Sequence, residues 1–185
     1  MPVHVDSSLP VHPLTVADVD GMVRAGILDE DDRVELLDGV LVEMSPQSER
    51  HAYAIRRLTL LAAQAAVRNG LELNIQLPLN VESAISQPEP DVALTPSVAR
   101  GAHASRALLV VEVSRSSRRL DLGRKAEIYA EAGIPEYWVL DVEHGELVVH
   151  RDPREGRYSS VHTLGADETV AAVALDLTVP VCALL

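Results

Sequence analysis

The chain has 185 residues, 47% of them hydrophobic, and a formal net charge of −12. That is enough apolar surface for one good core, and so acidic a protein does not coat nucleic acid with its whole surface, so any contact with a polyanion has to be local. The single cysteine, Cys182, excludes an intramolecular disulfide framework and a cysteine-built zinc site; its setting, VPVCALL, predicts a small packed hydrophobe, and a reducing compartment is compatible with it.

The first residues, MPVHVDSSLPVHP, carry no periodic pattern and predict a loose arm over residues 1–14, ahead of one domain over 15–185. They have neither a basic n-region nor an apolar h-region, and no later run reaches the ~20 apolar residues of a bilayer span, so a cytoplasmic chain with no membrane contact is expected. TVAD has the form of a capping box from Thr15 to Asp18 and starts a helix ending near Gly26. After the acidic turn DEDD, RVELL and VLVEM flank Asp38-Gly39 as a hairpin that is expected to open the main sheet. Ser48 caps a long helical pattern that stops at Gly70. LELNIQL, LNVES and PDVALT read as three extended segments. ALLVVEVS, residues 107–114, has the nearly unbroken apolar character of a strand buried on both faces. A helix over DLGRKAEIYAEAG follows, then the strand IPEYWVLD, a turn at EHGE, the strand ELVVHR and short strands near RYSSVHTL and LDLTVPV. The fold class is α/β: a central mixed sheet flanked by α-helices, with an N-terminal helix and hairpin.

Two features carry chemistry. Fifteen of the sixteen basic residues are Arg, and Lys125 is the only lysine. At ~100° per residue it falls on the apolar arc of its helix with Leu122, Ala126 and Tyr129, opposite Arg124, Glu127 and Glu131. An ordinary ion pair to Asp121 four residues earlier is the plain reading of it. That pairing does not explain why this one position escaped Arg, whereas a compact point donor with a tunable pKa does. The second feature is carboxylates in apolar strands: Glu112 near the end of ALLVVEVS, and Asp91 at the head of PDVALT behind Pro90. A bare ionised carboxylate in a dry strand costs several kcal/mol, so each needs a cation or a partner. Two of them on neighbouring strand ends suit a hard divalent ion such as magnesium or manganese; a salt bridge to arginine for Glu112 and a turn role for Asp91 are the alternatives.

The stretches VELLDGVLVEMSP, His51, PEPDVAL, LLVVEVS and DLGRKAEIYAEAGIPEYWVLD together resemble the Uma-two family of endonucleases, in the PD-(D/E)XK superfamily with its restriction-endonuclease-like fold. The resemblance implies that Asp91 and Glu112 are metal ligands, with the Val113 carbonyl a third. It also implies that the catalytic lysine, missing where Ser114 stands, has migrated to the next helix as Lys125. Glu35 matches a further acidic position, which would bind a second metal or orient water unless it is a plain hairpin residue. His51 lies in line with Ile55, Leu58 and Ala62, either facing the site or as a satisfied core histidine. Trp138 reads as core packing.

Between Arg100 and Lys125 there are seven basic residues against two acids. In that segment Arg115, Arg118 and Arg119 follow the Glu112 strand, where they could grip a phosphate backbone; a solvated loop is the plainer reading of each. A Mg2+- or Mn2+-dependent DNA endonuclease is therefore expected, and a homodimer would suit cutting both strands. The rival readings are a non-catalytic nucleic-acid-binding or regulatory module on the same fold, and a nuclease acting on RNA or structured DNA.

Overall fold

The structure, a computed structural model, describes residues 11–29 and 31–185; most of the expected N-terminal arm and Glu30 of the acidic turn lie outside the described residues. Helix α1 (Val16–Arg24) opens with the capping box, the Thr15 side chain accepting from Asp18 N–H and the Asp18 side chain from Thr15 N–H. Strands β1 (Val34–Leu37) and β2 (Val40–Glu43) pair about Asp38 and Gly39, both with positive φ, at 51° and 76°. That left-handed pair is what a two-residue hairpin needs. Helix α2 (Glu49–Asn69) runs from a Ser48 cap to a left-handed Gly70.

Among the described residues the main sheet has six strands in the order β3-β4-β5-β6-β7-β8: β3 (Glu72–Asn74), β4 (Val92–Thr95), β5 (Leu109–Ser114), β6 (Glu136–Asp141), β7 (Glu146–Arg154) and β8 (Arg157–Gly165). Only β5 and β6 run parallel. Parallel neighbours need a crossover of a dozen or more residues, and here it is helical: α3 (Arg118–Leu120), a π-turn (Asp121–Lys125) and α4 (Ala126–Glu131). Lys125 therefore rides on the segment that must lie back across the sheet. The small strands β9 (Thr169–Ala171) and β10 (Thr178–Pro180) pair apart from the main sheet.

Period-2 alternation divides the sheet into two packed faces. Leu109, Val111, Val113, Trp138 and Leu140 meet the alanine-rich side of α2 and the C-terminal leucines and valines. Ala93, Val110, Tyr137 and Val139 meet Ala126 and Tyr129 of the crossover. Trp138 is fully buried, as core packing requires.

Four sequence expectations are corrected. The hairpin does not open the main sheet; it is a separate two-stranded sheet. Leu37 packs with Val81 and Ile128 over the crossover, so its buried side, not its edge, decides where it docks. LNVES forms no strand, because its backbone groups go to scattered partners, Leu79 N–H to Pro88 C=O and Asn80 N–H to Ala104 C=O. The crossover helix starts at Arg118 and contains a π-turn, where a regular helix from Asp121 was expected. Cys182 is exposed, since the final 3-10 turn directs Val181 and Leu184 inward and leaves it outside. No described helix is long and apolar enough to cross a membrane.

Gly39 also marks a close approach. A Cβ there would collide with the Cβ of Pro13, and Leu14 N–H donates to the Gly39 carbonyl at 2.9 Å. Gly39→Ala is expected to destabilise the protein by about 1–3 kcal/mol through strain at positive φ and overpacking. Urea unfolding checks this, with Gly26→Ala as the comparison, because a Cβ at Gly26 (φ 67°) meets nothing.

Candidate functional site

The site grows out of the β4/β5 register. Val92 pairs with Val111, so one step further along the strands Asp91 stands opposite Glu112. Both turn to the crossover side of the sheet, and both are buried. Asp91 N–H points at Glu112 Oε2 at 3.4 Å, and Val113 N–H donates to Asp91 Oδ2 at 2.8 Å.

Lys125 reaches down from the π-turn between two acids. Its Nζ is 2.9 Å from Glu112 Oε1 and 2.9 Å from Glu35 Oε2, with the lysine only 4% exposed. A π-turn is rare and concentrates at functional sites; here the adjacent Arg124 also grips the hairpin, with Asp38 carboxylate contacts of 2.6 and 2.8 Å. Consecutive cations thus staple the hairpin at Asp38 and Glu35. Asp121 is not the lysine's partner: its carboxylate accepts from Ser117 Oγ at 2.6 Å. Tyr129, one turn beyond Lys125, donates its hydroxyl to Glu112 Oε1 at 2.9 Å.

His51 stands at the site, with Nε2 3.2 Å from Asp91 Oδ2 and Nδ1 buried without a partner among the described residues. The other Asp91 oxygen accepts from Gln76 Nε2 at 3.0 Å. Sequence reading missed Gln76. It lies past the end of β3 at φ 49°, its N–H tied to the Pro90 carbonyl, an irregular path with no periodic signature. Glu35 N-terminal to the Asp38 turn also accepts from Glu89 N–H at 3.2 Å. Tyr129 could have been found from its place on the apolar arc with Lys125.

The charges do not balance. Glu35, Glu112 and Asp121 surround one ammonium, with Asp91 beside Glu112. Burial pushes the Glu112 carboxyl up to about 8, with Asp91, Asp121 and Glu35 adding to burial and Lys125 opposing it. Burial also raises Asp121. For Lys125 burial works downward, but Glu112, Glu35 and Asp121 outweigh it and hold the ammonium firmly protonated. Asp91 stays below the ordinary carboxylate value: burial would raise it, and the His51, Gln76 and Val113 donors reverse that. The chemistry of this floor is that of a cation-seeking oxygen cluster with one built-in cation.

Glu35, His51, Asp91, Glu112, Asp121 and Lys125 line a cavity of about 640 Å³. Arg115 and Arg119 lie on its wall after β5, with Arg115 paired to Glu143 at 3.2 Å. Arg118 turns away to Asp141 at 2.6 Å and Glu146 at 3.0 Å. Ser114 keeps a buried hydroxyl without a hydrogen-bond partner among the described residues.

The model of the Uma2 family, described as "Putative restriction endonuclease", matches residues 23–182. A solved structure described as "a putative nuclease belonging to DUF820", from Anabaena variabilis ATCC 29413, superposes with a TM-score of 0.74. It is 10% identical, with 93% of this chain and 97% of that chain covered, so the likeness is one of fold. Comparison with curated proteins finds no match.

Proposed function

This chain belongs to the Uma2 family, and on that premise we propose that it is a metal-dependent phosphodiesterase that cuts DNA at the Asp91, Glu112 and Lys125 floor. The observation that carries the reading is the lone lysine, buried and held 2.9 Å from each of two carboxylates beside a third at the next strand end.

The donor set fits a hard divalent ion. Among the described residues no three His, Cys, Asp or Glu side chains form a ready-made cluster, and magnesium is ordinarily held by one or two carboxylates with water completing its shell. Asp91 and Glu112 would hold it, with the Val113 carbonyl, and the surplus of buried carboxylate is the charge it would neutralise. When bound, such an ion supplies Lewis acidity toward the phosphate and the attacking water. The chain's own residues do the rest. Val113 N–H, Gln76 and His51 orient Asp91; Tyr129 fixes Glu112; and Lys125 offers a preorganised ammonium for the charge that develops on the phosphate oxygens. Glu35 holds Lys125 from the far side.

One observation favours a second reading, a nucleic-acid-binding module without turnover: Lys125 already satisfies Glu112 and Glu35 as a closed ion triad. Plasmid nicking in magnesium and in manganese separates the two, with wild type beside Lys125→Ala, Lys125→Arg and Glu112→Gln, each checked for folding by circular dichroism. The nuclease reading expects cutting by wild type and losses of about 10²–10³-fold or more in the variants. Variants that cut as fast as wild type would place the activity elsewhere. Absence of cutting on plasmid, single-stranded DNA and RNA, with no calorimetric metal site that Asp91→Ala removes, would leave the binding module.

A further inference from the structure

We infer that Arg33 and Arg119 form a clamp on the phosphodiester backbone of a nucleic acid, one from the hairpin entry and one from the crossover, both lining the cavity. The inference rests on the reading of the floor as a phosphodiesterase site and adds how the strand is held there.

The cavity mouth has four arginines, Arg33, Arg115, Arg119 and Arg124. Arg124 is committed to Asp38, Glu127 and Glu131, and Arg115 to Glu143. Among the described residues Arg33 and Arg119 make no ion pair, and both are exposed. Arg33 acts on the Glu89 carboxyl only at longer range, opposing the rise that burial causes there, so both guanidinium groups stay available at this acidic cavity.

Their placement is geometric. Arg33 enters the hairpin two residues before Glu35, so strand alternation puts it on the same face, about 7 Å along from the residue that touches Lys125. That is the axial rise of about two nucleotides of one strand. Arg119 comes from the crossover, on α3. On that segment Gly123 leaves the helix bare toward the cavity: a Cβ added there meets nothing within 4 Å. Glycine inside a helix costs about 1 kcal/mol against alanine, and here it leaves the cavity lining without a side chain at that point. Among the described residues no Tyr or Trp lines the cavity, which gives bases no stacking platform there. The ligand class is the phosphate backbone, read by charge and not by base edges.

Binding of a fluorescein-labelled 20-mer, as duplex and as single strand, would be followed by anisotropy over a salt series in calcium buffer. Arg33→Ala and Arg119→Ala are each expected to reduce the slope of log Kd against log salt by about 1 on the probe that binds, and the double variant by about 2. Arg33→Lys should keep the wild-type slope, and Arg154→Ala, exposed on the far hairpin, should leave it unchanged. Wild-type slopes in both alanine variants, or no binding of either probe by wild type, would overturn the clamp. A reduced slope in a protein that cuts neither plasmid, single-stranded DNA nor RNA and has no Asp91-dependent metal site would uphold the clamp and remove the catalytic reading, so the two fail separately.

Discussion

Above the raised Glu112 value of about 8, Lys125→Met is expected to lower the unfolding free energy by about 3–5 kcal/mol, because it leaves Glu35 and an ionised Glu112 buried without their cation. The side chain is nearly isosteric, so the loss reports charge and not a cavity. Both carboxylates are about 5% exposed and share the one Nζ at 2.9 Å. Urea unfolding should show a lower midpoint at unchanged m-value, with a fall in Tm of about 10 °C for a domain of this size. Adding Glu35→Gln and Glu112→Gln should recover most of the loss, since replacing every charged member of a buried ion cluster is often neutral. A loss under about 1 kcal/mol in the single variant would mean that the triad is not the electrostatic keystone of the site. Lys125→Arg should also destabilise: the planar fork is larger than the ammonium and would have to displace Tyr129 or Glu35. That steric exclusion answers why one lysine persists in an otherwise lysine-free chain.

Stability should fall as pH rises from about 5 to 8, and Glu112→Gln should remove that slope. The Glu112 carboxyl is raised from 4.5 to about 8 by burial and by its acidic neighbours. Between those values the folded protein holds a proton that the unfolded chain has lost. The associated stability is complete below 4.5 and gone once pH passes about 8, with a slope of up to about 1.4 kcal/mol per pH unit for one proton. Asp91 acts in the opposite sense: its value lies below 3.8, so its contribution is present at neutral pH and is lost as pH falls through the lowered value. Urea unfolding at intervals across this range tests the assignment. A profile that is flat in wild type, or equally steep in Glu112→Gln, would place the titrating group elsewhere.

The pattern of caps and periods in the chain was enough to locate most elements. Thr15 with Asp18, Ser48 with Gly70, and the apolar run ending at Ser114 all work through contacts within a few residues, and the structure has them where the sequence places them. The inward face of Lys125 was legible for the same reason: helical periodicity is local even when interrupted by a π-turn. The docking of the hairpin was not legible. Its pairing is written in Asp38-Gly39, but whether it joins a sheet edge or lies over the crossover depends on where Leu37 finds Val81 and Ile128.

The sequence by itself determined the inventory: which strand is buried on both faces, which carboxylates sit in apolar surroundings, and that a single compact cation lies among core residues. Only the tertiary structure decided which of these meet. Asp91 reaches Glu112 because β4 and β5 pair in one register and not the next; a slip of one residue would turn Asp91 to the other face. Glu35 reaches Lys125 because a hairpin distant in sequence folds over the crossover, and Gln76 reaches Asp91 because the chain leaves β3 in a left-handed turn. Such contacts are set by register and by the packing of surfaces far apart along the chain, and no local pattern of residues encodes either.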